Sequence, residues 1–89
     1  MEMDTELTTR LKNVVTKSLG LSDVDSESLN ENTHFSDNLG ADSIDIVELI
    51  MATEREFKIN IPDSLLENLT SYGELIVIVE NAVRQKKAS

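Results

Sequence analysis

The chain has 89 residues, of which 17 are acidic and 8 basic, giving a formal charge of −9, and it contains no cysteine. That length supports one compact domain, residues 1–89, with a small core and no deep cleft between lobes. The acidic balance opposes binding to a nucleic-acid backbone or to anionic lipid, and the absence of thiols excludes a disulfide framework and cysteine-based zinc sites.

Aromatic residues make up 3% of the chain against 39% hydrophobic overall, so the core is expected from Leu, Ile, Val, Met and Ala, which favours a helical bundle. The opening Met1-Glu2-Met3-Asp4 lacks the basic and apolar regions of a signal peptide, and no later run is long and apolar enough to span a bilayer. Stable membrane insertion is therefore not expected. A cytoplasmic protein is the favoured expectation, or one of an organelle matrix if a transit peptide has been removed.

Leu7, Leu11, Val14, Val15 and Leu19 share one helical face, with Asp4 or Thr5 as start signal and Gly20 as stop, which predicts the first helix. From Leu21 to Ala41 the chain is rich in Ser, Asp, Asn and Glu without periodicity, a connection much longer than usual. Val24, Leu29, Phe35 and Leu39 are spaced along it as anchors, so an ordered loop crossing the bundle is expected. Asp23, Asp25 and Glu27 alternate as in a calcium loop, but Ser28 stands where such a loop needs glycine and His34 where it needs glutamate. His34 has no second His or Cys to complete a tetrahedral site, and no metal centre is expected.

The second predicted helix runs from about Ser43 to Phe57 and is entered from a glycine-containing loop, Leu39-Gly40-Ala41. With Asp42 as N-cap, an orphan N–H of the first turn is satisfied and the Ser43 hydroxyl is left facing solvent, open to a modifying enzyme. Ile46, Leu49, Ile50 and Phe57 read as core, while Ile44, Val47 and Met51 form a second, partly exposed stripe rimmed by Glu48 and Glu54. No Lys or Arg occurs from Ser18 through Glu54, so the site lies in an acidic field suited to basic partners. There is no Gly-x-Ser-x-Gly elbow around Ser43, which leaves a serine-hydrolase reading without support.

Pro62 and Asp63 predict a short third helix at about Ser64 to Asn68, capped by Asp63 and carrying Leu65, Leu66 and Leu69. Ser71 and Glu74 have capping-box spacing. Leu75, Ile76, Val79, Ala82 and Val83 then share the face of a last helix that closes on Arg84, Lys86 and Lys87.

Asp42-Ser43-Ile44 resembles the Asp-Ser-Leu signature of acyl carrier proteins, and the likeness continues through Val47-Glu48-Leu49, Glu54-Arg55-Glu56-Phe57 and Ile61-Pro62-Asp63. It covers most of the chain. The resemblance implies an all-α four-helix bundle with a long loop after helix one and a short third helix. It implies a carrier, not an enzyme, with Ser43 bearing 4′-phosphopantetheine and Asp42 serving as motif residue and helix cap. Ile44, Asp45, Val47, Glu48, Met51 and Glu54 would then dock a phosphopantetheinyl transferase and fatty-acid synthesis enzymes with basic patches onto a monomer. Ile46, Ile50, Ile61, Leu66 and Leu69 would line an apolar shelter for the acyl chain. Arg55 and Ser64-Leu65-Leu66 depart from the fatty-acid pattern, which is usually acidic there. They keep open a specialised carrier for polyketide, lipopolysaccharide or other acyl transfer. An unmodified acidic adaptor is the alternative from another class.

Overall fold

The computed structural model describes residues 5–67 and 69–88. Among them five helices follow in chain order: α1 (Thr5–Leu19), α2 (Asp23–Ser28), α3 (Ser43–Phe57), α4 (Asp63–Leu66) and α5 (Tyr72–Ala88). The chain is all-α, as expected, with α1 packed chiefly on α3 and more lightly on α5. None of the described helices is long and apolar enough to cross a membrane.

The α1 stripe turns inward as its spacing predicts. Leu7, Leu11 and Val15 are buried, and Val14 and Leu19 pack partly against them. Asp4, one of the two expected start signals, lies outside the described residues. Leu49, Ile50 and Phe57 of α3 join Leu75, Ile76 and Val79 of α5 in the same core. Thr53 is also fully buried, which its polarity did not suggest. Its hydroxyl donates to the Leu49 carbonyl at 2.8 Å, so its one strong donor is satisfied within the helix.

The expected four helices gain α2, inside what reads from sequence as irregular loop. The Ser22 hydroxyl accepts the Asp25 N–H at 3.2 Å, and Asp23 and Asp25 place negative charge on the first turn, where the helix dipole favours it. Ser26 Oγ lies 2.9 Å from Thr16 Oγ1, joining α2 to α1. Val24, two positions earlier and so on the opposite side of the helix, is 71% exposed and does not anchor the loop.

Beyond α2 the loop is ordered by its own polar side chains. Thr33 Oγ1 accepts from the Asn30 N–H at 3.0 Å, and Asn38 Oδ1 accepts from the His34 N–H at 2.7 Å. Phe35 is buried as expected, and Leu29 and Leu39 pack partly against the core. A short antiparallel pairing of His34 with Ser71 fixes the loop to the entry of α5. In it the Phe35 N–H donates to the Thr70 carbonyl at 3.0 Å and the Tyr72 N–H to the Thr33 carbonyl at 2.8 Å. One residue on, the Gly73 N–H donates to the Glu31 carbonyl at 3.1 Å. That approach requires glycine, because a Cβ at Gly73 would fall 2.6 Å from the Glu31 oxygen.

The third expected helix is present as α4. It starts at Asp63 behind Pro62, which has no side chain to cap it, so Asp63 is the first helical residue and not the cap. The expected end at Asn68 lies outside the described residues. The capping box of α5 forms as its spacing predicts. Glu74 Oε1 accepts from the Thr70 hydroxyl at 2.7 Å, the Thr70 N–H at 2.8 Å and the Ser71 N–H at 3.0 Å, while the Glu74 N–H donates to Ser71 Oγ at 3.3 Å. These bonds, the Thr70 hydroxyl foremost, hold the Glu74 carboxyl below the ordinary carboxylate range. Tyr72 is buried beside it, its hydroxyl 3.5 Å from the Thr8 carbonyl, and burial pushes its pKa up.

Gly73→Ala will force the α5 entry away from Glu31. Against about 1 kcal/mol of helix propensity gained, overpacking costs about 1–3 kcal/mol, so a net loss of up to about 2 kcal/mol is expected in urea unfolding. The lowered Glu74 pKa adds stability that is present above the unfolded-state value, about 4.3, and is lost as pH falls through the folded-state value. Glu74→Gln should therefore melt below the parent at neutral pH, with the gap closing on acidification. A gap that stays constant from pH 7 to pH 3 would refute this coupling.

Candidate functional site

Gly40 and Ala41 set the entry to α3. Gly40 takes a left-handed φ of 69°, and its N–H donates to the Ser36 carbonyl at 3.0 Å. The Ala41 N–H then donates to the Phe35 carbonyl at 2.9 Å, and Ala41 is buried. A residue with a side chain is strained at such a φ, so glycine allows the loop to turn here before Asp42.

Asp42 and Asp45 form a reciprocal capping box. The Asp45 N–H donates to Asp42 Oδ1 at 2.9 Å and the Asp42 N–H to Asp45 Oδ2 at 3.1 Å. Ser43, the first residue of α3, is exposed, and its hydroxyl has no hydrogen-bond partner among the described residues. Both neighbouring carboxylates are thus engaged, while the serine oxygen stands free at the positive end of a 15-residue helix. A phosphodiester on Ser43 Oγ fits this place, since helix N-termini favour attached or bound phosphate.

The outward stripe of α3 is present as the sequence predicts. Ile44, Val47 and Met51 are 67%, 53% and 53% exposed and share one side of the helix at i, i+3 and i+7. Glu48 beside them is exposed. Two other acids expected in the docking rim do further work within the fold. Asp45 is half-buried in the capping box. Glu54 is half-buried, and its Oε2 accepts the Ile61 N–H at 2.8 Å, closing the turn from α3 to α4.

The opposite end of α3 carries cations that the sequence reading did not connect to the site. Arg10 reaches from α1 to donate to the Glu56 carboxylate at 3.0 Å and the Glu56 carbonyl at 2.8 Å, its guanidinium carbon 4.6 Å from the Phe57 ring centre. Lys86 of α5 donates to the Phe57 carbonyl at 3.4 Å. Terminal carbonyls of the helix thereby gain charged donors.

Of the five residues expected to shelter an acyl chain, Ile50 and Ile61 are closed into the core, and Ile46, Leu66 and Leu69 are half-buried. Leu69 also lines a surface groove of about 490 Å³ beside α4 and α5, which spacing along the chain gave no means to foresee.

The family model for the phosphopantetheine attachment site matches residues 9–77. The chain is 42% identical over 77 residues to an acyl carrier protein of Picosynechococcus sp., covering 86% of this chain and 91% of that protein. It is 40% identical over 77 residues to acyl carrier proteins of Sinorhizobium fredii and Rhizobium meliloti, covering 86% of this chain and 95% of each. The chain belongs to the acyl carrier protein family, carriers that hold their cargo on a covalently bound 4′-phosphopantetheine.

Proposed function

We propose that Ser43 is the attachment residue, and that the loaded protein delivers acyl groups between enzymes of fatty-acid biosynthesis. The carrying observation is the free, exposed Ser43 hydroxyl at the head of α3, between two carboxylates already tied into a capping box. The thiol of the bound arm supplies the chemistry, holding acyl groups as thioesters. The residues of the chain supply placement. Asp42 and Asp45 fix the first turn, and the exposed stripe beside Ser43 receives the enzyme that acts on the arm.

Docking is assigned to Ile44, Val47 and Met51 as the apolar centre, with Glu48 and Glu54 as acidic rim. Asp45 contributes charge at the root of the arm. A phosphopantetheinyl transferase and acyl-transferring enzymes with basic patches would complement this surface in sign. Arg55, exposed in the last turn of the same helix, places one cation in the field. It selects for enzymes with an acidic group at that point and supports the second reading, a carrier for a specialised acyl-transfer route.

Shelter for the acyl chain is assigned to the interior bounded by Ile46, Ile50, Ile61, Leu66 and Leu69, of which Ile46, Leu66 and Leu69 are half-buried.

Ser43→Ala should take up no phosphopantetheinyl mass when expressed beside a transferase, and should change stability by less than about 0.5 kcal/mol, because the hydroxyl is exposed and unpaired. Modification of that variant would refute the assignment. Glu48→Lys should lower the association rate with the transferase about 2–10-fold at low salt and flatten its salt dependence, whereas Met51→Ala should mainly speed dissociation. Stopped-flow binding at two salt concentrations separates the two effects, and association indifferent to both salt and Glu48→Lys would remove the docking assignment.

A further inference from the structure

The outward stripe of α3 continues past Met51. Arg55 follows Met51 by four residues and Lys58 follows Arg55 by three, so by helical spacing both extend the line of Ile44, Val47 and Met51 toward the helix end. Both are exposed, and neither side chain has an ion-pair or hydrogen-bond partner among the described residues. The acids nearest to them in sequence are already committed, Glu54 to the Ile61 N–H at 2.8 Å and Glu56 to Arg10 at 3.0 Å. The helix dipole favours cations at this end, but Arg10 and Lys86 already bond the carbonyls of Glu56 and Phe57.

Lys58 also stands in the left-handed region, at φ 55° and ψ 50°, a place at helix ends that glycine ordinarily fills. A long charged side chain held there despite backbone strain points to a use outside the helix. Lys58 further lines a hollow of about 440 Å³ with Arg10, Lys86, Phe57 and Val83, and the one carboxylate in its wall, Glu56, is the partner of Arg10. Positive charge therefore surrounds the end of α3, while its first turns carry Asp45 and Glu48 in a stretch, residues 18–54, without Lys or Arg. By the helical rise Arg55 lies about 10 Å beyond Glu48. That is about one screening length at 0.1 M salt, so a partner meets the two poles as separate charges.

Resting on the docking assignment above, we propose that Arg55 and Lys58 form a second, cationic pole of the docking surface, and that the surface fits a partner segment of divided charge. Basic side chains of that segment face Asp45 and Glu48, an apolar side chain covers Met51, and carboxylates meet Arg55 and Lys58. A uniformly basic segment is repelled over the last turn. A segment of divided charge seats in one direction only, which fixes the end of the partner that lies beside Ser43.

Two synthetic amphipathic peptide helices of identical composition and apolar face test this. One carries its Lys residues at one end and its Glu residues at the other; in the second, Lys and Glu alternate along the polar edge. In NMR titrations at low salt the whole protein should bind the divided peptide about 2–10-fold more tightly, a preference that shrinks in about 0.5 M salt. A spin label on the Lys end should broaden the amides of residues 43–48 and leave those of Lys58 and Ile59 sharp. Arg55→Glu combined with Lys58→Glu should abolish the preference and the single direction. If that variant fails to fold, Arg55→Gln with Lys58→Gly, which relieves the strained backbone, should do the same. Lys58→Gly alone should raise the melting midpoint while weakening the preference; a midpoint that falls with the preference intact would make Lys58 a helix-end residue and overturn its part. Equal binding of the alternating peptide, or broadening at both ends of α3, would overturn the proposal and leave the stripe as docking surface. If neither peptide perturbs Ile44, Val47 and Met51, the docking assignment itself fails, and the cationic pole with it.

Discussion

The position of Ser43 depends on two backbone hydrogen bonds formed far from it, between Phe35 and Thr70 and between Tyr72 and Thr33. The segment after α2 has too few apolar residues to fold onto the bundle by burial alone, and an unpaired polar backbone pressed against a core is costly. Pairing with the entry of α5 meets that requirement and lets Phe35 enter the core. Phe35 then accepts from Ala41, so the path of the loop determines where α3 starts. Because Glu74 holds Thr70 and Ser71 by four bonds to one oxygen, the charge of a single carboxylate at the α5 cap supports the geometry at the head of α3. Acid is expected to loosen both together.

Once placed, α3 is held at both ends. At its start the Asp42–Asp45 box satisfies first-turn N–H groups, and at its end Arg10 and Lys86 serve the carbonyls of Glu56 and Phe57. Anions sit at the positive end and cations at the negative end, each in the favourable sense for the helix dipole. The Arg10–Glu56 ion pair is 42% exposed on both sides, and by charge alone it contributes little. Its value is geometric, since the same guanidinium bonds a backbone carbonyl and covers the Phe57 ring. A helix pinned in this way presents the Ile44, Val47 and Met51 stripe as a fixed surface, about 10 Å from first residue to last.

Four of the five helices are legible in the sequence because their information is local, α4 through Pro62 and Asp63 with its start one residue early. The apolar spacing of α1 and α5, the Ser71–Glu74 pair, and Asp42 before an apolar stripe each specify structure within a few residues, and α3 is read at Ser43–Phe57 as found. What escapes the sequence is held by contacts between distant segments or by side chains acting against their type. The six-residue α2 has no buried residue and is maintained by the Ser22 cap and the Thr16–Ser26 contact, so apolar periodicity has nothing to report. Thr53 is polar by type and buried by virtue of one bond to its own helix. Glu54 faces the rim by helical phase, yet its carboxylate reaches seven residues ahead to Ile61, a contact set by the tertiary turn. Likewise Gly73 comes against Glu31, and no spacing rule announces that meeting.

The chemistry at Ser43 follows from what its neighbours are already doing. A serine hydroxyl is a weak nucleophile unless an adjacent base takes its proton. The two nearest carboxylates, Asp42 and Asp45, each spend an oxygen on a backbone N–H, and the Ser43 hydroxyl bonds to neither. His34 is turned instead toward Asp37, its Nδ1 3.7 Å from that carboxylate, on a loop fixed to α5. The chain therefore offers the hydroxyl without activating it. If Ser43 carries the arm as proposed, activation would come from the loading enzyme, and the exposed stripe of α3 beside that oxygen is the surface proposed to seat it. Passivity at the serine and definition of the stripe are two sides of one arrangement: the same capping box that occupies the carboxylates fixes the helix turn from which the exposed stripe begins.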